Sequence, residues 1–215
     1  MVYTFLMFEI EMKAHVLDRK NVIEKLESFA EYKCSIEKKD TYYRIPLSEN
    51  PSLYKSARIR YEKKSFPFAT TDSKKEQEEI IFTYKREKNL CQNGDKNSIE
   101  VNTELECSVS DGEPLLRFFL DIGGKIGNIK QKIVECYHYE TECGLANIEL
   151  CTVPPLGDFL EIEIVSEKND DEFISKAKKI EEEIFLKCGI SLDQLESRYY
   201  NDMLNDFKEK SDSKK

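Results

Sequence analysis

Charged residues spaced two apart recur along this chain, each set inside a run that reads as a β-strand. They are Glu9/Glu11/Lys13, Arg58/Arg60, Glu104/Glu106, Lys130/Lys132 and Glu161/Glu163, with Lys85 and Glu149 standing singly in similar runs. Side chains alternate between the two faces of a strand, so each set shares one face. Between them stand Ile10, Met12, Ile59, Leu105 and Ile162. One side of the sheet is therefore ionic and the other apolar. Two architectures satisfy this pattern. Either the apolar side is the core and the ionic side meets water, or the sheet curls into a barrel with an ionic lumen and helices over its apolar outside. Periodicity alone does not choose. Composition favours the barrel: a solvent face ordinarily mixes in Thr, Ser and Gln, whereas these positions are Glu, Arg and Lys. Seven acids stand against six bases, the near balance that enclosure demands.

The rest of the chain supplies the covering elements. The apolar spacing predicts a helix over 18–32, from Val22, Ile23, Leu26, Phe29 and Ala30. Asp111 is placed to cap a short helix closed near Gly123-Gly124, and Asp170 to Lys187 reads as a helix ended by Gly189. Ser191 is expected to cap a last helix running to about Phe207. Strands are predicted at 1–13, 42–45, 57–62, 80–85, 99–109, 129–140, 146–152 and 158–165, with a loop over 63–79 and a turn at Asn93-Gly94. Residues 1–207 are read as one domain and 208–215 as a disordered polar tail.

Composition narrows the partners. The 215 residues carry 33 basic and 42 acidic side chains, a net charge of −9, which argues against nucleic acid. No segment has the apolar length to cross a bilayer, and the apolar start runs into Glu9 and Glu11 without a basic leader. Seven cysteines, an odd number with no C-x-x-C pair, read as reduced thiols of a cytoplasmic protein. His15 and His138 are the only imidazoles, leaving little for histidine chemistry or a zinc site. Carboxylates on neighbouring strands suit a hard cation held through oxygen. Arginines and lysines on other strands suit phosphate oxygens. A metal together with a polyanion would keep the enclosed set close to neutral.

At Glu9-Ile10-Glu11-Met12-Lys13 the sequence resembles the CYTH family, which contains class IV adenylate cyclases and thiamine triphosphatases. Arg58-Ile59-Arg60, Tyr84-Lys85, Glu104-Leu105-Glu106, Lys130-Gln131-Lys132 and the stretch from Leu156 to Glu163 follow in the family's order, and Tyr200 with Met203-Leu204 resembles the C-terminal motif of bacterial members. Glu149 stands where the family has an aspartate, and Lys132 where an arginine is usual. The resemblance implies an α+β fold: an eight-stranded antiparallel tunnel with a charged lumen and helices packed outside. It implies Mg²⁺ or Mn²⁺ on Glu9, Glu11, Glu149, Glu161 and Glu163. It implies triphosphate oxygens on Lys13, Arg58, Arg60, Lys85, Lys130 and Lys132, with Glu104 and Glu106 in support. Lys13 or Lys85, lowered in pKa by neighbouring cations, is expected to assist proton removal. The expected activity is that of a class IV adenylate cyclase, ATP to cyclic AMP and pyrophosphate. The alternatives are a triphosphatase and a non-catalytic polyphosphate- or nucleotide-binding module. The expected partner is a small triphosphate, and the sequence leaves room for a homodimer.

Overall fold

The computed structural model describes residues 8–47, 50–67, 75–90, 100–168 and 170–213. In chain order the elements are β1 Phe8–His15, α1 Arg19–Leu26, β2 Glu31–Leu47, β3 Asn50–Ser65, β4 Glu76–Leu90, β5 Glu100–Val109, α2 Glu113–Asp121, β6 Lys125–Thr141, β7 Gly144–Val153, β8 Gly157–Ser166, α3 Asp171–Lys187, a short 3-10 turn at Leu192–Gln194, and α4 Tyr200–Asp212. The strands form a closed antiparallel barrel in the order β1-β5-β4-β3-β2-β6-β7-β8. β1 closes it by pairing with β8 on one side and β5 on the other. The choice left open by periodicity is thus settled for the barrel.

Strand alternation sorts the side chains. Ile10, Met12 and Ala14 of β1, Ala146, Ile148 and Leu150 of β7, and Leu160, Ile162 and Ile164 of β8 point outward into one buried cluster with α1 and α3. Burying a side chain the size of Ile148 or Leu150, both fully enclosed, contributes about 1.5–3 kcal/mol each. A second outer cluster joins Tyr43, Ala57 and Ile59 to Phe119 of α2. The helical cover is incomplete. Outward-facing Leu105 is 44% exposed, and Ile129 and Ile133 are each 55% exposed.

Several elements differ from their predicted bounds. α1 stops at Leu26 because Glu31 already begins β2, although Phe29 and Ala30 still pack against the core from the intervening turn. β2, β3 and β6 are much longer than their apolar stretches, since charged residues continue the ladder: Glu37 pairs with Lys63, and Lys38 with Glu62. The loop expected over 63–79 is taken at its ends by β3 and β4. Ser191 caps only the 3-10 turn, and the last helix starts at Tyr200. That helix continues to Asp212 through the segment read as a polar tail, where Lys208 Nζ donates to Asn128 Oδ1 at 2.6 Å. The turn at Asn93-Gly94 and the start of the first strand lie outside the described residues. The bounds of α3 match expectation: Gly189, at φ +77°, ends the helix in a conformation that side chains resist, and at its start Asp170 accepts from the Phe173 amide as the cap. Among the described residues no helix is long and apolar enough to cross a membrane, and the six described cysteines are all free.

Candidate functional site

The inward parity of the strands carries the ionic residues into a cavity of about 690 Å³. Glu9, Glu11, Lys13, Arg58, Arg60, Glu106, Lys130, Lys132, Glu149, Glu161 and Glu163 all line it. Lys85 and Glu104 face each other in the β4–β5 register, but their side chains lie outside the described residues.

Register sorts the lumen into walls. On β1 and β8, Glu11 stands opposite Glu163, and Lys13 opposite Glu161. Burial, and after it the charges of Glu9 and Glu11, push the Glu163 carboxyl up to about 8. Across the lumen, Asp40 of β2 stands opposite Arg60 of β3 and opposite Lys130 of β6. Fully buried Asp40 takes a two-point bond from Arg60, Nε to Oδ1 at 2.7 Å and Nη2 to Oδ2 at 3.1 Å. Lys130 Nζ lies 3.1 Å from Asp40 Oδ2, and Arg58 Nη1 lies 3.9 Å from it. Burial alone would raise the Asp40 carboxyl, but Lys130, Arg60 and Arg58 hold it well below the usual carboxylate range. Arg58 also donates to Thr83 at 2.9 Å and to Glu106 at 3.0 Å. One buried anion thus organises three cations on this wall.

Between the walls runs a network of Lys38, Lys132, Glu149 and Glu161. Glu149 accepts from Lys38 at 2.5 Å and from Lys132 at 2.8 Å, and Lys132 also donates to Glu161. Burial would depress the Lys132 ammonium, yet the anionic groups around it, Glu149 and Glu161 among them, hold it well above its ordinary value. Lys132 is therefore a fixed cation and not a base. Burial would likewise raise Glu149, but Lys132 and Lys38 hold it well below the usual range.

Lys38, Glu62 and Thr83 are not among the residues to which the sequence points, and Asp40 is marked there only by its place ahead of Tyr42-Tyr43, which resembles a strand motif of the CYTH family. Lys38 and Asp40 do show the spacing of two, but their outward neighbours Glu37 and Lys39 are charged as well. That hides the alternation that exposed the other pairs. Tyr200 was seen only as part of a C-terminal motif, and it proves to be buried at the site. Its hydroxyl lies 3.7 Å from Cys151 Sγ.

Whether these residues fit a divalent cation can be judged from their chemistry. Among the described residues no group of three or more His, Cys, Asp or Glu side chains is already gathered to hold an ion, and Glu149 and Glu161 are turned onto lysines. The donor set nonetheless fits. Glu9, Glu11 and Glu163 present hard carboxylate oxygens from adjacent strands, and the crowding that raises Glu163 is what a bound cation would relieve.

No family model matches the chain, and no curated protein does. Solved structures match its fold at low identity. A Pyrococcus horikoshii protein superposes with a TM-score of 0.67 at 23% identity, over 92% of this chain and 98% of that one. A Vibrio parahaemolyticus protein described as a candidate adenylate cyclase superposes with a TM-score of 0.62 at 14% identity, over 92% and 98% of the two chains. A Hippeastrum protein described as a candidate adenylyl cyclase with a dominant triphosphatase activity gives 0.53 at 13% identity, over 86% and 89%. These likenesses are consistent with the CYTH resemblance and carry it at the level of the fold.

Proposed function

We propose that this chain is a divalent-metal-dependent enzyme that binds a triphosphate in its tunnel and breaks a phosphoanhydride bond. The observation that carries this reading is the enclosed lumen with opposed walls, Glu9, Glu11 and Glu163 against Arg58, Arg60 and Lys130 around buried Asp40. Mg²⁺ or Mn²⁺ on the acidic wall, with Glu149 and Glu161 as further oxygen donors, would neutralise phosphate charge and orient the nucleophile. The chain's own part follows from its geometry. The Arg58 and Arg60 guanidiniums, held by Asp40 and Glu106, offer forked donors to equatorial phosphate oxygens. Lys130 and fixed Lys132 would stabilise charge that builds on the departing group. Lys13, opposite Glu161 and next in parity to Glu11, or Lys85 would take the proton of the attacking hydroxyl.

Two reactions use this arrangement. Hydrolysis is supported by the ionic character of one part of the lining, where Arg44, Lys55, Ser56 and Arg58 offer charge and hydroxyl to a phosphate chain. It accords with the triphosphatase activity printed for the Hippeastrum neighbour. Cyclisation of ATP, the sequence expectation, is supported by Tyr42, an aromatic ring in the same lining on which a base could stack. Incubation with ATP, thiamine triphosphate or tripolyphosphate, each with Mg²⁺ and with Mn²⁺, separates them. Free phosphate, absent in Glu163→Gln, is the expected product, and cyclic AMP from ATP would establish the second reading. If neither product forms from any of the three, the enzyme reading fails.

A further inference from the structure

Tyr200 opens α4 and is placed by contacts with two opposite parts of the barrel. Ahead of it, Leu195 forms a bridge with Ala14 of β1, and the Glu196 amide donates to the Lys13 carbonyl at 2.9 Å. After it, Asn128 of β6 donates to the Asn201 carbonyl at 3.2 Å and to Asn205 Oδ1 at 2.9 Å. The ring packs edge-on against Phe159, with centroids 5.1 Å apart. Three lumen lysines surround that ring. Lys130 Nζ is 4.9 Å from its centroid, Lys13 Nζ 5.7 Å and Lys132 Nζ 5.9 Å.

Three ammoniums around one point repel one another. A carboxylate at that point would gather them but would cancel charge and compete with a phosphate for the same donors. An aromatic face attracts cations through its quadrupole and carries no net charge. We propose that Tyr200 is a positioning residue: Asp40 anchors Lys130, Glu149 and Glu161 anchor Lys132, and the ring turns these two ammoniums and Lys13 toward one point of the lumen as an anion-binding cluster without adding a further negative charge. This rests on the triphosphate reading above and adds to it the element that sets the lysine geometry. The hydroxyl is secondary, since the face contacts belong to the ring.

The test is calorimetric binding of tripolyphosphate to the full chain in EDTA, so that no metal or turnover enters. Tyr200→Phe should bind within about twofold of wild type, and Tyr200→Leu about tenfold more weakly, the order expected when cation–π contacts are lost. Proton NMR checks that Lys130 lies over the ring in solution. The Lys130 ε-methylene protons should be ring-shifted upfield in wild type and in Tyr200→Phe, and lose that shift in Tyr200→Leu. Wild-type affinity in Tyr200→Leu, or equal weakening in both variants, would overturn the inference and leave the triphosphate reading standing. No binding by the wild type would overturn both. If Tyr200→Leu does not fold, the shift decides: its presence in wild type and Tyr200→Phe supports the role, and its absence ends it.

Discussion

Asp40 shows how one side chain can be indispensable to a charged interior. It has no solvent exposure and meets Arg60, Lys130 and Arg58 together. Replacing it with asparagine keeps the shape and removes the anion that Arg60 and Lys130 share, while Arg58 keeps its bond to Glu106. Breaking a buried ionic set in this way costs about 3–5 kcal/mol. Asp40→Asn should therefore unfold earlier in urea by that amount, and added tripolyphosphate should restore more stability to the variant than to wild type. Equal urea midpoints without ligand would show that the cations are compensated some other way. The sequence marks Asp40 only by its place ahead of Tyr42-Tyr43, and its part in the interior was not legible there. Glu9, Glu11, Arg58 and Arg60 announce themselves because an apolar residue separates the charges, whereas Asp40 lies in a run charged on both faces. Its meaning comes from standing opposite Arg60 on one side and Lys130 on the other, and that register is a property of the closed sheet.

At the scale of elements, α3 carries a cost that its amphipathic pattern conceals. Glu181 lies fully buried on the face that bears Ala177, Ile180 and Ile184, and among the described residues neither of its carboxylate oxygens has a hydrogen-bond partner. Burial, then the charges of Glu11 and Glu163, hold its pKa well above the ordinary value of 4.5. The sign follows from proton linkage. With the folded pKa raised, the native state holds a proton that the unfolded chain has released. Stability therefore falls as pH rises above about 4.5 until the folded group titrates. Glu181→Leu should be more stable than wild type by about 1–4 kcal/mol near pH 8 and by less near pH 5, measured by urea denaturation at both values. A pH-independent difference would mean that Glu181 does not titrate in the fold. The helices also mark where sequence reading succeeds. α3 was legible because Asp170, its apolar stripe and Gly189 agree on both ends. α1 was overextended because Phe29 and Ala30 keep a helical spacing after the backbone has turned toward β2.

For the whole molecule, the two-residue spacing showed that the sheet has an ionic side, and the type of charge favoured turning that side inward. Closure was expected from the type of charge and from the resemblance, and it is realised by β1 pairing with both β8 and β5, a register that the spacing alone does not specify. The sequence put carboxylates and bases on different strands, but where the acidic and basic walls stand across the lumen follows from strand order around the barrel. That division is the central claim, and crystals soaked with tripolyphosphate and Mn²⁺ test it most directly through the anomalous signal of the metal. The expected result is phosphate density among Arg58, Arg60, Lys130 and Lys132, with manganese beside Glu9, Glu11 and Glu163. Phosphate bound only on the outer surface, or manganese away from those three carboxylates, would contradict it.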